Sequence, residues 1–319
     1  MIKINPNPYQ TCTLCPRQCK INRLEAPFTG LLGFCGESAQ LRIGYVGPHF
    51  GEEPPITGKN GSGTVFLSGC SLKCCFCQNH QISREGMGVL IADEALFHRI
   101  KEMIRAHHVH NINFVTPDQF VPDIFKVISL LRQSDLHIPI VFNTSGYQSI
   151  NMLKQAEDYV DIYLPDFKYS DTTLAAKFSN CPDYPQTALN ALSEMLRQKG
   201  FLDSCRDEKE IATEGVLVRH LILPGHTENS INALSTLFIE FGKDLPISLM
   251  SQYHPVGHQD DEGLNRSLLE EEFVQVYTHV LDLGFENLFV QFLDKNGEQR
   301  TPSPFLPDFR TKKPFGSRV

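Results

Sequence analysis

No run of about 18 apolar residues occurs anywhere in this 319-residue chain, so nothing in it reads as a helix able to span a bilayer. Basic charge is also short: 29 Lys and Arg face 37 Asp and Glu, a formal net charge of −8. With no basic cluster to offset that balance, a nucleic-acid partner is not expected. The opening MIKINPNPYQ lacks the apolar core of a signal peptide, so a reducing cytoplasm is the expected address, with no membrane partner. No repeat of fixed period is present, which excludes a solenoid. What is there is 41% hydrophobic residues, enough for one large α/β domain or two smaller ones, and ten cysteines. In a reducing compartment, closely spaced thiols more often bind metal or do redox chemistry than form disulfides.

The cysteines fall into three sets: Cys12, Cys15, Cys19 and Cys35; Cys70, Cys74, Cys75 and Cys77; and the isolated Cys181 and Cys205. The isolated pair reads as small buried hydrophobes or idle loop thiols. The other two sets read as sites.

From residue 64 onward, β-branched runs alternate with stretches of helical period. Strands are expected at 64–69, 111–116, 138–143, 161–167, 215–222, 246–252 and 287–293, with helices at 94–108, 122–134, 147–159, 186–200, 228–242 and 268–284. Strand alternating with helix means a parallel sheet. The expected fold class is α/β, a partial (β/α)6 TIM-like barrel of parallel strands with an irregular cysteine-rich N-terminal lobe. The expected divisions are a metal-binding lobe at 1–60 without a long periodic element, a barrel at 61–295, and a turn-rich tail at 296–319 that wraps the surface.

Cys70, Cys74 and Cys77 have the spacing C-x3-C-x2-C on the loop leaving the first barrel strand. Such thiolates can occupy three corners of a cubane 4Fe-4S cluster and leave the fourth iron without a protein ligand, whereas ferredoxin-type runs close all four corners. A zinc knuckle or a disulfide set is the alternative. Cys75, between two ligands, points elsewhere and is expected to pack beneath the cluster.

FLSGCSLKCCFCQNHQIS, with Phe76 just before the last cysteine, resembles the cluster loop of radical S-adenosylmethionine enzymes, most closely pyruvate formate-lyase activating enzyme and its relatives. The preceding CTLCPRQCKINR and GFCGESAQLRIGYVGPHFGEEPPITG are similar to an uncharacterised branch of that group. The resemblance implies that the open iron is chelated by the methionyl amine and carboxylate of S-adenosylmethionine. One electron then cleaves the nucleotide's C–S bond, and the resulting 5′-deoxyadenosyl radical abstracts hydrogen from a substrate.

In a parallel β/α barrel the C-terminal strand ends converge on the site. Asp118, Asn143, Ser145, Asp166, Lys168, Arg219 and His254 stand there as candidate cofactor contacts. The resemblance implies that Asp166, Lys168 and His254 contact the nucleotide and that Phe76 borders its adenine. Where relatives carry Gly-Gly-Glu for the methionyl amine this chain reads FVTPDQF, with Asp118 as the substitute carboxylate.

The N-terminal Cys12, Cys15, Cys19 and Cys35 suffice for a four-thiolate site. Structural zinc or single iron satisfies that inventory, and so does a second iron–sulfur cluster able to relay electrons. Metal binding would be part of the folding free energy of so small a lobe. Three other signals are set aside. Residues 58–64 do not match G-x4-G-K-[ST] and read as a turn; His107, His108 and His110 fall on the barrel face away from the chemistry; the acidic run near 270 reads as a helix's first turn facing water.

The expected activity is reductive cleavage of S-adenosylmethionine and hydrogen abstraction, fed by a reducing electron donor. The substrate is either a partner enzyme that receives a glycyl radical, or a small molecule or another protein that is modified. An iron–sulfur electron carrier or a metal-stapled binding module, neither of which needs a nucleotide, is the rival outside enzymes.

Overall fold

The computed structural model describes residues 7–134, 136–206, 210–293 and 306–316. In chain order the strands are β1 (Arg42–His49), β2 (Ser62–Leu67), β3 (Val89–Leu90), β4 (Ile112–Val115), β5 (Ile140–Thr144), β6 (Ile162–Pro165), β7 (Gly215–Val216), β8 (Val218–Leu221), β9 (Ile247–Met250) and β10 (Leu288–Val290). The helices are α1 (Ala26–Thr29), α2 (Pro54–Thr57), α3 (His80–Ser83), α4 (Asp93–His107), α5 (Val121–Gln133), α6 (Ile150–Ala156), α7 (Thr172–Ser179), α8 (Tyr184–Lys199), α9 (Asp203–Arg206), α10 (Thr227–Phe241) and α11 (Glu270–Leu283).

All seven expected strands form, and they run parallel from β2 through β4, β5, β6 and β7, then β8, β9 and β10. The segment expected as one strand at 215–222 is divided. β7 pairs with β6, β8 pairs with β9, and an Asp166–Arg219 bridge links the two sheets into one curved wall. The fold is therefore a partial barrel, as the alternating pattern predicts.

One face of each strand packs on the helices. Val65, Leu67, Ile112, Phe114, Phe142 and Tyr163 share a core with Ile100 of α4, Ile124 of α5 and Leu192 of α8. Alternation sends Thr64, Asn113, Val141, Ile162 and Leu164 to the barrel interior. There Ile56 of α2 joins Val141, Ile162, Leu164 and Leu217, so the segment around α2 plugs the end where the strands begin.

The expectation of no long periodic element before residue 60 is corrected. β1 is eight residues long and pairs antiparallel with β2, because its edge would otherwise stay unpaired next to the barrel's open side. The tail also does more than wrap the surface: among its described residues, Phe309 is buried and meets Phe66 of β2, as does Phe315. An incompletely closed barrel leaves Phe66 uncovered by other strands, and these aromatics supply the cover. The rest of 296–319 lies outside the described residues.

Candidate active site

The loop after β2 turns sharply at Gly69 (φ +81°), where a Cβ would come within 2.8 Å of the Cys35 carbonyl oxygen and 2.5 Å of Glu37 Cγ. Only glycine lets the N-terminal lobe lie this close. The loop then places Cys70 and Cys74 in buried positions and Cys77 at a partly buried one. Each sulfur accepts one hydrogen bond: Cys70 Sγ from the Leu72 amide (3.4 Å), Cys74 Sγ from Ser179 Oγ (2.9 Å) and Cys77 Sγ from Ser83 Oγ (3.3 Å). Tyr169 Oη lies 2.7 Å from the same Ser179 hydroxyl.

Burial, reinforced by Cys74 and Cys77, pushes the Cys70 thiol up to about 12, and burial raises Cys77 as well. As free thiols the two would be protonated at neutral pH. Bound metal supplies the charge that makes a coordinating thiol ionise outright. Three thiols within electrostatic reach of one another, each with a donor aimed at its sulfur, thus fit an iron–sulfur cluster. Cys75 is half-buried, and its amide donates to the Phe178 carbonyl (2.8 Å).

At the rim, Lys168 forms an ion pair with Asp166 on the strand extension after β6. Burial pulls the Lys168 pKa down, but the Asp166 carboxylate and then Cys74 outweigh it, and the ammonium is held above its ordinary range. Lys168 also works against the burial that raises Cys77, so the pair sits within electrostatic reach of Cys74 and Cys77. Phe76 is buried with its ring 6.3 Å from Tyr253 and 6.4 Å from Tyr169. His254 follows Tyr253 on the loop after β9, its pKa lowered by partial burial. Ser145 is buried and its carbonyl accepts from Tyr184 Oη (2.9 Å), while the Asn143 carbonyl accepts from the Thr116 amide (2.9 Å). Gly146 (φ +80°) lets this turn pass the Asp166 carbonyl, which a Cβ would approach to 2.1 Å.

Two expected contacts have partners of their own within the chain. Asp118 is buried, accepts from Ser71 Oγ (3.2 Å) and Gln148 Nε2 (3.0 Å), and lines the cavity of the N-terminal cysteines. Burial pushes its carboxyl up to about 6 against those two hydrogen bonds. Arg219 points into the barrel, paired with Glu52 and with both carboxylate oxygens of Glu53. Glu52 also accepts from Asn113 Nδ2 (2.8 Å). A buried guanidinium must find carboxylates, and the plug segment offers two, so Arg219 ties that segment to the barrel interior.

Residues outside the expected set matter as well. α7 was not among the expected helices, yet it delivers Ser179 to Cys74. Its signals are local: Asp171 caps the first turn by accepting from Thr173 and Leu174, and Asn180 ends the helix in a left-handed conformation. Arg17 donates to the carbonyls of Ser71, Ser179 and Asn180 and stacks 4.0 Å over Phe34, tying lobe, cluster loop and α7 together. No pattern in the sequence marks it. Of the signals set aside, His107 and His108 are exposed, but Glu272 is tied down, accepting from Arg266, the Leu269 amide and the Gly225 amide.

The profile described as "Radical SAM superfamily" matches residues 64–237. An uncharacterized protein of Methanocaldococcus jannaschii is 26% identical over 280 residues, which cover 85% of this chain and 74% of that protein. Among solved structures, methylornithine synthase is similar with a TM-score of 0.45 and 14% identity, over 74% of this chain and 73% of that one. Streptococcus suis SuiB bound to S-adenosylmethionine has a TM-score of 0.47 and 13% identity over 70% and 48% of the two chains. A domain of pyruvate-formate lyase-activating enzyme from Bacteroides vulgatus has a TM-score of 0.36 and 14% identity over 54% and 93%.

Proposed function

Since this chain belongs to the radical SAM superfamily, we propose that Cys70, Cys74 and Cys77 hold a 4Fe-4S cluster and that the rim beside them binds S-adenosylmethionine for hydrogen abstraction. The observation carrying this reading is the set of three donors, the Leu72 amide and the Ser179 and Ser83 hydroxyls, one to each sulfur. When bound, a cluster with one iron free of protein thiolate supplies the electron that breaks the sulfonium C–S bond.

The chain's own residues bind and orient the nucleotide. Lys168 offers a fixed positive charge to the methionyl carboxylate, and its partner Asp166 keeps an acceptor for ribose hydroxyls. Phe76, backed by Tyr169, Phe178 and Tyr253, gives the adenine an apolar wall that excludes water. Asn143, Ser145 and His254 border the same rim. With Asp118 committed to Ser71 and Gln148, the methionyl amine is left to the turn of Thr116 (φ +55°), whose strained backbone is over-determined by its surroundings.

We favour an activating-enzyme role, in which hydrogen is removed from a glycine of a partner protein, because the likeness of the cluster loop extends through QNHQIS. Modification of a small molecule is the second reading. The test is anaerobic: the loaded, reduced protein releases 5′-deoxyadenosine and methionine, and Cys70→Ala does not. Intact S-adenosylmethionine with both proteins overturns the reading. A glycyl-radical doublet on a partner, seen by electron paramagnetic resonance, separates the activating role from its alternative.

A further inference from the structure

We propose that Cys12, Cys15, Cys19 and Cys35 hold a second iron–sulfur cluster, a cubane with all four corners filled by thiolates, which passes electrons singly to the cluster of the active site. The existence of the second cluster stands on the lobe's own residues; its role as a relay rests on the function proposed above.

The four cysteines and Gly33 line one cavity directly beneath the cluster loop, together with Arg23, Ser71, Asp118 and Gln119. At Gly33 a Cβ would stand 3.4 Å from Cys35 Sγ and 3.9 Å from Cys19 Sγ, so any side chain there would enter the space between the sulfurs. Cys19 is bracketed by Gln18 and Lys20, both at positive φ, and its sulfur accepts from the Phe34 amide (3.4 Å). Lys73, at positive φ, precedes Cys74 in the same way. Non-glycine residues in this region are strained, and here the strain serves to aim a thiol.

Charge calls for metal. Arg23 is fully buried and donates to the carbonyls of Glu37, Ser38 and Gln119, with Cys12 Sγ 3.6 Å away. The Glu37 carboxylate lies within electrostatic reach of it, and the guanidinium faces Cys12 and Cys35 more directly. A metal–thiolate centre of net negative charge would complement a cation held there.

Place selects the kind of centre. The cavity lies against the loop of Cys70, Cys74 and Cys77, where a one-electron centre has a partner to serve and a redox-inert zinc ion has none.

The two sets also touch. The Cys70 amide donates to the Cys35 carbonyl (3.2 Å), one ligand's backbone to the other's, across the close approach that Gly69 permits. Cys15 and Cys19 are partly exposed, so the far side of the lobe is open to a donor. A low-potential one-electron reductant reduces the lobe's cluster by one electron. That electron moves to the active-site cluster, the lobe's cluster returns to its oxidised state, and no bond or proton is exchanged.

The test uses the full chain, purified and reconstituted without oxygen. Wild type should carry about eight iron and about eight sulfide per chain, and should show two interacting reduced-cluster signals by electron paramagnetic resonance. Cys70→Ser/Cys74→Ser/Cys77→Ser should keep about four iron and a reducible signal, and so should Cys12→Ser/Cys15→Ser/Cys19→Ser/Cys35→Ser. One zinc with about four iron in wild type, or a Cys70/Cys74/Cys77 variant free of iron, overturns the proposal. Should either variant precipitate, the wild-type metal content and spin count decide. In the N-terminal variant, reduction of the remaining cluster by a reduced ferredoxin should slow at least about tenfold; an unchanged rate overturns the relay. Loss of iron from that variant alone refutes the active-site reading and leaves the second cluster standing.

Discussion

A single hydroxyl or imidazole has a sharply different weight in this molecule depending on what it faces. Ser179 donates to Cys74, and a donor at a cluster thiolate favours the more negative, reduced state. Ser179→Ala should therefore lower the reduction potential of the active-site cluster, on the order of tens of millivolts, read by redox titration. Cys75 has no such donor role, and Cys75→Ser should retain iron content and S-adenosylmethionine cleavage within about twofold, whereas Cys70→Ala, Cys74→Ala or Cys77→Ala should each lose cleavage by at least about a hundredfold. His220 is fully buried, its Nδ1 2.6 Å from the Phe167 carbonyl oxygen, and burial lowers its pKa from 6.5 to about 4. Above pH 6.5 it is neutral whether folded or unfolded. As pH falls from there toward 4 the unfolded chain takes a proton that the folded one refuses, so stability declines through that window. The loss is about 3 kcal/mol at about 1.4 per pH unit. His220→Asn keeps a donor for the carbonyl and should flatten this dependence in urea unfolding at pH 7, 5.5 and 4.5.

At the scale of elements, α7 is eight residues long and depends on its ends. Removing the cap with Asp171→Ala should cost about 1 kcal/mol in urea unfolding. Because the same helix carries Ser179, the variant should also lower the cluster potential in the direction of Ser179→Ala. A stability loss with no change of potential would detach α7 from cluster tuning. The turns around the site obey a similar logic. Gly69 and Gly146 combine positive φ with neighbours that leave no room for a Cβ, so alanine at either position meets both strain and a backbone clash.

For the whole molecule, Lys168 and Asp166 stand where β6 finishes, while Glu52 and Glu53 of the plug segment hold the Arg219 side chain inside the barrel. Arg219→Ala leaves two buried carboxylates unpaired and should destabilise by about 3–5 kcal/mol. Replacing all three, with Glu52→Leu, Glu53→Leu and Arg219→Met, should recover most of that loss. Affinity for S-adenosylmethionine, measured by calorimetry, should be unchanged in the triple variant. A loss of affinity there would return Arg219 to the nucleotide site.

How much of this was legible before folding depends on the range of the interaction. Seven strand segments, six of the helices and the C-x3-C-x2-C loop follow from periodicity and spacing, because hydrophobic alternation and ligand geometry act over a few residues. The chain by itself thus determined the parallel barrel and the loop after its first parallel strand on which Cys70, Cys74 and Cys77 stand. Only the tertiary structure decided which way Asp118 and Arg219 turn, that β1 and Phe309 cover the open flank, that Ser179 and Ser83 meet the cysteines, and that the two cysteine sets share a backbone hydrogen bond. Apart from Ser83 and Cys77, those contacts join residues far apart in the chain. A buried charge or an unpaired strand edge takes the partner that the folded chain brings near, and no local pattern names that partner in advance.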